Sequence, residues 1–268
     1  MTNHKFKNNP YNTNNKLISL DDISNILKEY NITNKPTNID IYQRAFIHKS
    51  YTKLKDYEEY SKPSNCLELF ENSYETLEFL GDSIIGNIIS LYLYQRYFII
   101  HKQDEGFLTK LKIRLVNGEQ LAEFSKILKL QNFLIISNHI EENCEGKENT
   151  NLLEDIFESF IGALYLDTNS YEIVTNFLIN IIETHIDFSD LIMNDNNYKD
   201  QILRYFQHNF SIHPKYETFK HENIFISNIY LINDIEKTLI VSGKGSTKKK
   251  AEQEAAKKCL IHYQILNK

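Results

Sequence analysis

Apolar residues recur at helical spacing through the first two thirds of the chain. Leu20, Ile23, Ile26 and Leu27 form one such stripe over residues 20–30. Ser19 precedes it as an N-cap, with Asp21 and Asp22 in the first turn. The same periodicity predicts helices near 73–100, 106–116, 118–128, 149–167 and 170–185. Between them, residues 52–72 are polar, contain Pro63, and read as a long connection. Residues 137–148, SNHIEENCEGKE, read as an acidic loop, and 188–197, FSDLIMNDNN, as a linker. The Asn-rich residues 1–15 read as a disordered tail. No internal repeat is visible.

After residue 198 the pattern changes. Lys199–His208 reads as a short helix, followed by β-branched and aromatic runs at Tyr216–Lys220, Phe225–Ile232 and Leu239–Ser242 that predict strands. Gly243–Thr247, GKGST, reads as a turn into a last helix at Lys248–Tyr263. The expected organisation is an all-α domain over 16–187, then an α+β domain of order α-β-β-β-α over 198–268. Ser83–Ile100 is the most apolar long run, but Asn87, Gln95 and Arg96 interrupt it, so it predicts a core helix and no membrane span.

Composition adds three constraints. The 268 residues are 41% hydrophobic, enough for a substantial core. Cys66, Cys144 and Cys259 are far apart, odd in number and form no CxxC, which predicts free thiols in a reducing, cytoplasmic setting. The N-terminus has no signal-peptide core. The net charge of −6 is unevenly spread: residues 198–268 hold 12 Lys+Arg against 7 Asp+Glu, a net of +5, which leaves −11 on the rest. The acidic part attracts cations and the basic part phosphate.

The acidic charge has a pattern. In Tyr74–Ile85, YETLEFLGDSII, the acids Glu75, Glu78 and Asp82 stand at i, i+3 and i+7, on one helix face. Like charges at such spacing repel by roughly 0.2–0.5 kcal/mol per pair, so the arrangement suits a bound cation. Asp155 and Glu158, at i and i+3 in LLEDIFESFIGALYL, form a second acidic pair among apolar residues. Hard oxygen ligands without Cys or His favour Mg²⁺ or Mn²⁺ over zinc. Neither acidic helix has a His at i+3, as a di-iron site would require. Metal-assisted hydrolysis and redox chemistry are the two general uses of such a site.

YETLEFLGDSII resembles the signature of the ribonuclease III family, whose pattern reads ErLEFLGDaxL. IYQRAFIHKSY (41–51) resembles a second family motif through Ala45, His48 and Ser50. DEGFLTKLKIRLVNGEQLA (104–122) is similar to a third, and Leu153–Asp167 to the segment LaDxfEAliGAiYLD. From Tyr198 onward the chain resembles a double-stranded-RNA-binding domain, with GKGSTKKKAEQEAAKK set against GxGxSKKxAExxAA. The five matches run in family order over about residues 38–268.

The resemblance implies a homodimeric, Mg²⁺-dependent endoribonuclease in which Mn²⁺ can substitute. Each subunit would cut one strand of double-stranded RNA, leaving 5′-phosphates and short 3′ overhangs. Glu78, Asp155 and Glu158 would ligate the metal. Asp82, a further candidate at the metal, would act with Glu158 at the scissile phosphate, and Glu75 and Glu105 match further acidic, catalytic positions of the cleft. Phe79 matches a residue that docks into the partner subunit. Lys248, Lys249 and Lys250 would bind RNA phosphates, with His221 and Lys199 beside them. His48 and Lys110 are open between RNA contact and a capping or surface role. No nucleotide cofactor is expected, because GKGS lacks the Walker spacing GxxxxGKS/T. The chain departs from the family pattern in four places. Tyr74 stands for Asn or Glu, Ser159 for Ala, Ile202-Leu203-Arg204 for LQE, and His221-Glu222-Asn223 for GPxH.

Overall fold

Helix α1 (Leu20–Glu29) begins at the expected place because Ser19 and Asp22 cap it reciprocally, each side chain accepting from the other's backbone N–H. Its stripe of Ile23, Ile26 and Leu27 is buried. The computed structural model describes residues 9–193, 197–232 and 237–266, and the chain divides into two compact units between Phe188 and Ser189. In the first unit α1 is followed by α2 (Ile39–Arg44), α3 (Glu75–Leu93), α4 (Glu105–Leu115), α5 (Gly118–Ile127), α6 (Asn138–Asn143), α7 (Thr150–Thr168) and α8 (Tyr171–His185).

Helix α7 is the central element. Every residue from Ile156 to Leu164 is buried, and α3 and α5 both pack on it. Two glycines let α3 approach. A Cβ on Gly81 would fall 1.8 Å from the Glu158 carbonyl oxygen, and one on Gly162 would fall 2.4 Å from that of Leu77. The helices therefore cross backbone to backbone, with Glu78 and Asp82 on α3 flanking the point where Gly81 meets Glu158.

Five expectations need correction. The expected helix over 73–100 is α3 up to Leu93, after which Tyr94–Ile100 widens into π-helical turns. Residues 9–15 of the expected disordered tail are ordered, while residues 1–8 lie outside the described residues. The asparagines that suggested disorder act here as backbone mimics. Asn12 and Asn15 donate to the Ile136 carbonyl at 3.2 and 2.9 Å, and Asn15 accepts from the Ile136 N–H at 3.1 Å. The expected loop 137–148 contains α6, capped by Ser137, and a 3₁₀ turn at Gly146–Glu148. The expected linker carries α9 (Phe188–Met193), and Phe188 is buried beneath the Arg96 guanidinium. Residues 194–196 of that linker lie outside the described residues.

The fifth correction concerns the second unit. Here α10 (Tyr198–Phe210) precedes β1 (Lys215–His221), β2 (Ile224–Ile232), β3 (Lys237–Gly245) and α11 (Lys248–His262). The antiparallel sheet has the order β1-β2-β3. Ile202, Phe206, Ile229, Ala255, Ala256, Cys259 and Leu260 form its core. Gly243 and Gly245, expected in a turn, are paired strand residues. They are glycines because α11 lies against β3: a Cβ on Gly243 would meet the Ala255 nitrogen at 2.2 Å, and one on Gly245 the Ala251 nitrogen at 2.4 Å. Among the described residues no helix is long and apolar enough to cross a membrane.

The glycine crossing gives a stability prediction. Alanine is intrinsically better in a helix than glycine by about 1 kcal/mol. Gly81→Ala should nonetheless destabilise the protein by roughly 2–3 kcal/mol, because the methyl group meets backbone that cannot step aside. Urea unfolding of the two proteins checks this, and a variant as stable as wild type would remove the crossing argument.

Candidate functional site

The crossing brings three of the predicted carboxylates together. Glu78 on α3 and Asp155 and Glu158 on α7 each offer an oxygen, and these oxygens lie within 4.8 Å of one another. Glu158 is only 8% exposed, and the other two are partly buried. Burial and mutual repulsion disfavour their charged forms. Glu158 is pushed up to about 8 by burial and then by the charges of Asp82 and Glu154. Glu78 is pushed up to about 7 by burial and then by Asp155. Burial also raises Asp155, against a hydrogen bond from the Tyr74 hydroxyl at 2.7 Å that favours its ionised form. An all-oxygen set of this spacing, short of positive charge, fits Mg²⁺ or Mn²⁺.

The other predicted acids are placed differently. Asp82 is exposed, lies one turn beyond Glu78, and is the largest charge influence on Glu158. Glu75 turns to Lys49, whose Nζ is 3.0 Å from Oε1, and to Ser73; the Lys49 hydrogen bond holds it below the usual carboxylate range. Glu105 opens α4 and accepts from the Thr109 hydroxyl at 2.7 Å. Neither Glu75 nor Glu105 belongs to the three-carboxylate group. Of the stripe Glu75–Glu78–Asp82, only Glu78 joins the acids of α7 at ligand distance.

Two residues near the site escaped the sequence reading. Glu154 on α7 is partly buried over Gly118, where a Cβ would fall 2.2 Å from its Oε2, and its pKa is raised by burial, then by Asp155 and Asp82. Its spacing of i, i+4 to Glu158 was the available signal. Lys49 is the second, a cation set among acids that the motif IHKS left unremarked. His48 beside it proves to be a capping residue. Its Nδ1 accepts from the Ser50 N–H at 3.2 Å, and burial drives its pKa down to about 4. Ser159 is buried and donates to the Ala45 carbonyl, tying α7 to the end of α2. Phe79, between Glu78 and Leu80, projects into solvent with 78% of its surface exposed.

In the second unit Lys248, Lys249 and Lys250 form the exposed first turn of α11, capped by Thr247, which accepts from the Lys250 N–H at 3.2 Å. Free backbone N–H groups and the helix dipole add to their attraction for anions. Pairing of His221 with Ile224, and of Phe225 with Gly245, sets His221 at the same end of the sheet as this helix start. Lys199 is held within the unit: its Nζ donates to Glu252 at 2.6 Å and lies 4.9 Å from the centre of the Tyr216 ring. Lys199, Lys249 and His213 line one groove with Tyr216 and Gln253.

Comparison with known proteins is consistent with this geometry. Residues 75–169 match the ribonuclease III domain model, and residues 198–263 the double-stranded RNA binding motif. The chain is 37% identical over 263 residues to the probable ribonuclease 3 of Acanthamoeba polyphaga mimivirus; the match covers 94% of this chain but 47% of that protein, so the chain spans about half its length. It is 32% identical to ribonuclease 3 of Streptococcus gordonii, over 82% of this chain and 88% of that one. It is 29% identical to ribonuclease 3 of Borreliella burgdorferi, over 86% and 88%.

The raised carboxylates set a pH signature. With folded pKa values of about 7 and 8 against an ordinary 4.5, Glu78 and Glu158 bind more protons in the folded state than in the unfolded state across this range. Their contribution to stability therefore falls as pH rises through it. In EDTA, the thermal midpoint of wild type should fall between pH 5 and 8 relative to that of Glu158→Gln. Added Mn²⁺ should raise the wild-type midpoint more at pH 8 than at pH 5. Parallel EDTA curves for the two proteins would contradict this account.

Proposed function

The chain belongs to the ribonuclease III family of endoribonucleases, and we propose that it cuts both strands of double-stranded RNA in a Mg²⁺-dependent reaction, as a homodimer. The products would carry 5′-phosphates and short 3′ overhangs. The observation that supports this most directly is the close set of Glu78, Asp155 and Glu158, in one chain with an RNA-binding unit that presents a lysine-led helix.

Glu78, Asp155 and Glu158 would hold the cation. When bound, Mg²⁺ supplies Lewis-acid stabilisation of the charge that builds on the phosphate. Mn²⁺, with similar preferences, would substitute. Asp82 and Glu158 would act together at the scissile phosphate. Glu75 and Lys49 form an exposed ion pair beside the carboxylates, and Glu105 would contribute charge from α4. Lys248, Lys249 and Lys250 would meet phosphates across the narrow major groove of A-form RNA, with His221 and Lys199 flanking them. The Lys199–Glu252 bond makes Lys199 a support for the α11 surface as much as a direct contact. The exposed Phe79 ring, next to Glu78, would dock on a second copy of the chain and so couple two cleavage sites. The three free cysteines suit a reducing cytoplasm.

A long, perfect RNA duplex labelled on both strands tests the reading. Mg²⁺ should give paired cuts with staggered ends, and EDTA none. Glu158→Ala should bind the duplex as wild type does while its cleavage falls by about 10²–10³-fold, the scale expected when one group that supports transition-state charge is removed. Binding without cleavage by wild type in Mg²⁺ would sink the enzymatic assignment, and nicks confined to one strand would sink the homodimer.

The lysine cluster has its own test. Replacing Lys248, Lys249 and Lys250 with Ala should weaken duplex binding in 50 mM salt and flatten the dependence of log K on log salt by about one unit per lost phosphate contact. An unchanged slope would show that the cluster does not meet phosphate.

A further inference from the structure

Tyr74 is 1% exposed and fixed at several points. Its N–H donates to the Ile47 carbonyl at 2.9 Å. Its own carbonyl accepts from the N–H groups of Leu77 and Glu78 at 2.7 and 3.0 Å, which closes the first turn of α3. The ring lies 5.8 Å from that of His48. From this rigid mount the hydroxyl reaches across to α7 and donates to Oδ2 of Asp155 at 2.7 Å. One residue thus joins the backbone of Glu78 to the side chain of Asp155.

We propose that Tyr74 is a positioning residue of the metal centre, holding one oxygen of Asp155 by a hydrogen bond so that the other is presented to the cation. A carboxylate ligand turns freely about its last bond unless a neighbour fixes it. Hydrogen-bonded partners of metal ligands set that orientation, and losing one costs typically about 10–100-fold in metal affinity. A phenol suits the task because it can only donate to an ionised carboxylate and has two side-chain torsions, both constrained here by burial. This inference rests on the metal-site reading of Glu78, Asp155 and Glu158.

The test is calorimetric titration of the full chain with Mn²⁺, without RNA, together with unfolding in EDTA. Tyr74→Phe keeps the ring and removes the donor. It should weaken Mn²⁺ binding about 10–100-fold. In an Asp155→Asn background, Tyr74→Phe should cause no further loss. A bond with only a structural role would instead lower stability in EDTA and leave the Mn²⁺ dissociation constant unchanged, and that result overturns the proposal. Should Tyr74→Phe fail to fold, 4-fluorophenylalanine at position 74, whose fluorine is close to the hydroxyl in size and cannot donate, should show the same weakening; wild-type affinity in that protein also overturns the proposal. The two readings fail differently. If wild type binds no Mn²⁺, or binds it equally well as Asp155→Asn, the metal site itself is wrong. If wild type binds through Asp155 and Tyr74→Phe matches it, only the role of Tyr74 is wrong.

Discussion

Where α3 crosses α7, neither helix has room for a side chain at Gly81 or Gly162. That contact fixes both the separation and the register of the two helices, since a shift of one residue along either would drive a side chain into backbone. The site inherits this geometry. Glu78 precedes Gly81 by one turn, and Glu158 supplies the carbonyl that Gly81 rests on. Asp155 follows because it lies one turn before Glu158. The apolar burial of α7 makes the arrangement stiff, with Phe157, Phe160 and Ile161 all fully enclosed.

A stiff acidic cluster opposes its own charge. Burial and repulsion hold Glu78 and Glu158 towards their protonated forms in the protein alone. Such a cluster cannot relax by swinging apart, so a divalent cation is the natural counter-charge. The chain then divides its remaining acids by what faces them. Lys49 neutralises Glu75, the Thr109 hydroxyl engages Glu105, and Tyr74 engages one oxygen of Asp155. Asp82 stays exposed, beside the cluster.

Close approach also shapes the RNA-binding unit. Gly243 and Gly245 let α11 lie on β3, and the small residues Ala251, Ala255 and Ala256 form the matching face. One face of the helix is thereby fixed from its first turn onward, while Lys248, Lys249 and Lys250 stay exposed at its start. Glu252, on the same helix, holds Lys199 of α10 and the Thr218 hydroxyl of β1, so part of the basic surface is braced from within.

Local chemistry was legible in the sequence. The Ser19 cap, the helical stripes, the order of strands, the motifs of the family and the acidic pairs of the two helices all follow from residue type and spacing, which are properties of a few neighbouring positions. Helical spacing alone did not separate Glu75 from Glu78; the family resemblance did, and the physical reason, Lys49 facing Glu75 from elsewhere in the chain, came only with the fold. It misread the tail because asparagine signals disorder unless its amide finds a backbone to pair with, as Asn12 and Asn15 do at Ile136. It read Gly243 and Gly245 as turn residues because their true reason, a helix lying on the strand, is not local. It passed over Glu154, and it recorded Tyr74 only as a departure from the family pattern. Residue type and spacing determined which groups could do the chemistry; long-range packing decided which of them meet, since burial, opposing charge and hydrogen-bond partners exist only once distant segments are side by side.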